Sequence, residues 1–101
     1  MPGEVGKYKP MSFTLLRDYI FTLHARLEML RRDISEDDIE AVLLNPEQSE
    51  QVEPTRCVYQ SRLSSGDPPK LYLYRVFVDI DCDPPEVVTV YRTSKIEKYW
   101  R

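Results

Sequence analysis

The sequence predicts an α+β domain in which two N-terminal helices pack on a small antiparallel β-sheet and a short helical tail follows. Three observations predict it. Apolar residues recur in steps of three and four up to Leu30, and again at Ile39, Val42 and Leu43. Beyond residue 55 come three runs rich in Val, Ile and aromatic residues, the composition of strands. The breaks between these segments carry glycine, proline and aspartate, which end helices and turn chains.

Taken in order, residues 1 to 11 hold two glycines and two prolines and little apolar content, so they read as a flexible lead-in to one domain over 12 to 101. Period alone would carry one helix, capped by Ser12, through Phe13, Leu16, Ile20, Leu23, Leu27 and Leu30. Against it, Tyr19-Ile-Phe-Thr22 is aromatic and β-branched, with Thr22 a natural N-cap; a short strand followed by a helix over 23–32 is the preferred alternative. Asp33 stands where a left-handed residue would join two helices. The second helix has the clearest signals. Ser35 caps it, Asp38 completes a capping box, Ile34 can staple onto Ile39, and Asn45-Pro46 stops it.

Strands are expected over Arg56–Arg62, Leu71–Ile80 and Glu86–Arg92, separated by Ser64–Pro69 and by Asp81–Pro85. Leu71–Ile80 is apolar enough on both faces to be central. Asp79-Ile-Asp-Cys-Asp83 resembles the start of a calcium loop but has Pro84 where glycine is needed and Val90 where glutamate is needed, so it reads as a charged turn. Ser94 to Arg101 forms the helical or irregular tail.

Composition bounds function. A length of 101 residues gives one modest core. A net charge of -3 argues against broad nucleic-acid binding. Charge is segregated, however: Ser35 to Thr55 holds seven acidic residues and no basic one, while Arg92 to Arg101 holds four basic and one acidic. Two distant cysteines, Cys57 and Cys82, suggest reduced thiols in a cytoplasmic protein. No cofactor or metal site is expected, since no phosphate loop, dinucleotide fingerprint, nucleophile elbow or zinc spacing is present. No apolar run is long enough to cross a membrane, and no secretory leader is expected.

Several residues could carry chemistry. On a helical wheel Leu23, Leu27 and Leu30 centre the expected buried stripe, with His24 and Arg31 together on its border and Glu28 beside them. Glu28 could orient the imidazole while Arg31 binds an anion, leaving His24 as general acid or base. The plainer alternative is that His24 caps or packs at the helix start and Glu28 pairs with Arg31 or Arg32. Arg92-Thr-Ser-Lys95 places cations and hydroxyls just past a strand end, where a phosphate could bind. Tyr72 and Tyr74 could stack on bases, although core packing under the helices explains them more simply. Arg75 is stranger, because a charge in a central strand needs a partner or a ligand.

Thr22-Leu-His-Ala-Arg-Leu-Glu-Met-Leu-Arg-Arg-Asp-Ile-Ser35, running on to Val42-Leu-Leu-Asn-Pro46, and Val87-Val-Thr-Val-Tyr-Arg-Thr-Ser-Lys95 resemble the uncharacterised-domain family numbered 4258. That family in turn resembles the RelE and ParE toxin-like fold, which implies two helices on an antiparallel sheet and a first strand near Asp18–Phe21. Relatives in the wider fold cleave RNA without a metal, using basic residues and sometimes His or Tyr on the sheet face and C-terminal segment. The chain departs from that pattern in being acidic, and in having Asp33 where the family commonly has glycine.

Of the family's recurrent positions only His24, with Arg31 or Arg32, is matched, and no catalytic role carries over residue by residue. The first reading, from the residues and the resemblance together, is a cytoplasmic toxin-like domain acting as a metal-independent ribonuclease, with RNA as substrate and a small antitoxin as partner. His24 would be the acid or base, with Arg75, Arg92 and Lys95 stabilising the phosphate. The alternative is a non-catalytic interaction module that uses the acidic helix Glu36–Glu40 or an exposed sheet edge to bind a protein partner or form a homodimer. Convergence of His24, Arg75 and Arg92 on one open surface would favour the enzyme, and scattered positions the module.

Overall fold

A computed structural model describes residues 18–101. The expected lead-in and the Ser12 boundary lie outside that span. The chain forms β1 (Ile20–Phe21), α1 (Leu23–Arg32), α2 (Glu36–Leu44), β2 (Gln48–Glu53), β3 (Arg56–Ser65), β4 (Lys70–Asp79), β5 (Glu86–Thr93) and α3 (Ile96–Tyr99). It is an α+β fold with a five-stranded mixed sheet in the order β1-β5-β4-β3-β2.

Both long helices begin where the sequence says they should. Thr22 Oγ1 accepts from Ala25 N at 3.1 Å, and Ser35 Oγ from Asp38 N at 3.1 Å, with Asp38 reaching back to Ser35 N. Each cap satisfies an N–H that has no partner within the helix. α1 ends in a Schellman motif: Asp33 is left-handed at φ 57°, Ile34 N donates to Met29 O, and Asp33 N donates to Leu30 O.

The sheet is larger than the expected three-stranded meander. β4 is central, antiparallel to β3 and β5. β2 adds an antiparallel edge beside β3, and β1 adds a two-residue parallel edge beside β5, with Phe21 opposite Val87. β2 was not legible because Gln48-Ser-Glu-Gln-Val-Glu53 is polar; an edge strand with little to bury needs no apolar pattern. The β3–β4 hairpin is tighter than the sequence suggested. Pairing continues to Ser65 and Lys70, and Gly66 supplies the positive φ of 95° in the turn.

Both helices cover one face of this sheet. Ala25 and Met29 of α1, Ile34 of the turn, and Ile39, Val42 and Leu43 of α2 pack against Tyr59, Tyr74, Val76, Val78, Val87 and Val90. Tyr74 is core and Tyr72 packs at its margin, the simpler of the two readings of that pair.

The buried side of α1 differs from expectation. Leu23, Leu27 and Leu30 are 75%, 51% and 80% exposed, and the helix instead buries Ala25, Glu28 and Met29. The apolar period locates a stripe but does not say which side of the helix meets the sheet. The small Ala25 lets the helix approach closely. Glu28 can sit beneath it because Arg32 Nε donates to its Oε1 at 2.6 Å and Arg31 Nη2 to its Oε2.

Candidate functional site on the outer sheet face

Side chains alternate across a strand, so residues between those of the core face away from the helices. Gln60 of β3, Arg75 of β4 and Tyr91 of β5 are register partners and form one row across that outer face. Beyond β5 the chain turns through Ser94 and Lys95 and crosses the same face. α3 and Trp100 lie over it, with Gln60 Nε2 donating to Tyr99 O at 3.2 Å and the Arg62 guanidinium 4.1 Å from the Trp100 ring. Arg101 anchors the tail to β2 through Glu50 at 2.6 Å and through Gln48.

Arg75 has the partners its position demands. It is 7% exposed. Nε donates to Gln60 Oε1 at 2.8 Å and Nη1 to the Tyr91 hydroxyl at 2.6 Å, while the Tyr99 ring lies 4.3 Å from the guanidinium carbon. A buried cation satisfied in this way costs far less than a bare one, and it imposes its field on the groups around it.

The two tyrosines respond differently. Burial pushes the Tyr91 phenol up, against the hydrogen bond it receives from Arg75. The Tyr99 phenol is held below the usual tyrosine value, first by a hydrogen bond with Tyr91 and then by the charges of Lys98 and Arg75. Tyr91 and Tyr99 meet edge to face at 6.2 Å between centroids, and Phe77 stacks on Tyr91 at 6.1 Å. Next to the cluster is a pocket lined by Gln48, Ser49, Glu50, Val58, Gln60 and Arg101. A tyrosine with a depressed pKa beside two cations can act as a general base.

The four residues singled out from the sequence do not gather here. Only Arg75 belongs to the cluster. Arg92 pairs with Tyr74 in the β4–β5 ladder and lies on the helix-covered face, where Nη1 donates to the Tyr74 hydroxyl at 3.1 Å and to Ser65 Oγ at 3.4 Å. Its guanidinium stacks 5.1 Å from the Tyr72 ring. His24 is in the helical layer with its side chain 63% exposed, and its Nε2 is 4.0 Å from Glu28 Oε2, a carboxylate already held by two arginines. Lys95 is exposed in the turn before α3.

Sequence reasoning missed Tyr91, Tyr99 and Gln60 as a set. Strand alternation already places Tyr91 on the face of Arg75 once the register is known. Tyr99 had no such signal, since nothing in Ile96-Glu-Lys-Tyr99 says which face the tail crosses.

Fold and site define a small α+β domain with a buried arginine–tyrosine cluster between its sheet and its C-terminal segment. The model of the family described as Domain of unknown function (DUF4258) matches residues 21–92, and the chain belongs to that family. No curated protein and no solved structure matches the chain. Among the described residues no helix is long and apolar enough to cross a membrane, and no group of three or more His, Cys, Asp or Glu side chains could hold a metal ion.

Proposed function

We propose that the chain is a cytoplasmic, metal-independent ribonuclease of the RelE and ParE kind, with its reactive group at Tyr99. One observation carries the reading: Tyr99, from the C-terminal segment, lies over the buried Arg75 with its phenol lowered by Tyr91, Lys98 and Arg75. The ionised fraction of Tyr99, enlarged by these neighbours, takes the proton from a ribose 2′-hydroxyl. O2′ then attacks the adjacent phosphorus and the P–O5′ bond breaks, leaving a 2′,3′-cyclic phosphate; O5′ takes a proton from water. Lys98 and Lys95, both exposed, supply positive charge to the phosphate. Arg75 is too buried to reach a phosphate, so it acts through the tyrosines as a positioning residue.

The experiment is cleavage of a single-stranded RNA in the presence of a chelator, by the wild type and by Tyr99→Phe. Wild-type cleavage to a cyclic phosphate, with a loss of roughly 100-fold or more in the variant, supports the reading. A wild type that cuts no RNA, or a variant as active as wild type, overturns it. A second reading, a non-catalytic interaction module, is favoured by the opposite facing of Arg75 and Arg92 and by the acidic surface of α2.

A further inference from the structure

Leu23, Leu27 and Leu30 lie on the side of α1 opposite Ala25, so three leucines point away from the sheet on one stripe. Monomeric proteins seldom leave a row of this kind open. Its borders are basic, with the Arg26 and Arg31 side chains 55% and 65% exposed. The outward side of α2 is the complement. Asp37, Glu40, Ala41 and Leu44 are exposed there, opposite the buried Ile39, Val42 and Leu43. The two helices lie side by side on one sheet face, α1 over β5 and α2 over β3 and β4. The outer surface of this layer is therefore half apolar with basic borders, and half acidic with a smaller apolar patch.

We propose that this layer is the contact surface for a second copy of the chain. A twofold axis lying between α1 and α2, in the plane of the contact, brings two such layers face to face. It sets α1 of each copy on α2 of the other, in a closed, self-complementary contact. The leucines then meet Ala41 and Leu44, while Arg26 and Arg31 meet Asp37 and Glu40. Pairing α1 with itself would instead juxtapose like charges. The existing partners do not oppose this. Arg26–Glu36 is an exposed pair of small worth, and Glu28 keeps Arg32 if Arg31 turns away. The contact does not involve the outer sheet face or the C-terminal segment over it, so it is independent of the ribonuclease reading.

Sedimentation equilibrium over a concentration series tests it. The wild type is expected to approach twice the 11.9 kDa chain mass, and Leu27→Glu to stay at the chain mass while keeping a folded circular dichroism spectrum and a cooperative melt whose midpoint no longer depends on concentration. Two charge-reversed chains, Arg26→Glu with Arg31→Glu and Asp37→Lys with Glu40→Lys, should each be monomeric alone and form a dimer when mixed. A monomeric wild type at every concentration, a dimeric Leu27→Glu, or a mixture that stays monomeric would overturn the proposal. So would a Leu27→Glu chain that fails to fold, since the stripe would then be packed inside the protomer.

Discussion

Arg75 Nη1 donates to the Tyr91 hydroxyl at 2.6 Å, across the register pair that joins β4 to β5. The bond ties a buried charge on the central strand to the phenol that in turn acts on Tyr99. Arg75→Met keeps much of the side-chain volume but leaves Gln60 and Tyr91 without their donor. It should cost about 1–3 kcal/mol in chemical denaturation, the range for orphaned polar groups. It should also raise the pKa of Tyr99, and with it that of Tyr91, read as a later rise of tyrosinate absorbance in an alkaline titration. An unchanged titration would show that Arg75 does not act on Tyr99.

Glu28 provides a pH-dependent contribution on the other side of the sheet. Its carboxyl is held below the usual range, chiefly by the hydrogen bond from Arg32 and further by the charges of Arg31, Arg32 and His24, against the opposing effect of burial. Its folded pKa lies below the unfolded one, so the stabilisation is complete above the unfolded glutamate value of about 4.3 and is lost as pH falls through the folded value. Glu28→Gln should lower Tm at neutral pH, and the gap to wild type should close in acid. A gap that does not change with pH would assign the loss to packing rather than charge.

Asp33 adopts φ 57° at the end of α1, a conformation that glycine enters without strain. Asp33→Gly should therefore raise stability by up to about 1 kcal/mol, measured by thermal or urea unfolding. A loss would mean that the aspartate side chain contributes more than its backbone strain costs.

Arg92 and His24 provide a test of location. Arg92 is held by Tyr74 and Ser65 on the helix-covered face, and His24 stands on α1. If cleavage occurs on the outer face, His24→Ala should cut RNA at the wild-type rate with an unchanged Tm. Loss of cleavage in a folded His24→Ala chain would move the reactive group to the helical layer.

Local chemistry was the most readable part of the sequence. Thr22, Ser35 and Asp38 fix the helix starts through side-chain oxygens three residues from their donors, and such short-range bonds depend little on the rest of the fold. The side of α1 that would be buried was not readable. Leu23, Leu27 and Leu30 satisfy the apolar period as well as any core stripe, while Ala25, Glu28 and Met29 are selected by close approach and by two arginines on one carboxylate. The site suffered for a related reason. Arg75 was conspicuous as a charge in an apolar strand, but its partners Gln60, Tyr91 and Tyr99 are 15, 16 and 24 positions away and meet it only through register and the path of the tail.

The most direct measurement is single-turnover cleavage of a single-stranded RNA by wild type, Tyr99→Phe and His24→Ala, in chelator, with Tm recorded for each. Cleavage that survives in His24→Ala and falls by roughly 100-fold or more in Tyr99→Phe, at matched Tm, is the expected result. Equal cleavage by Tyr99→Phe and wild type, or no cleavage by any of the three, would contradict a reactive tyrosine on the outer sheet face.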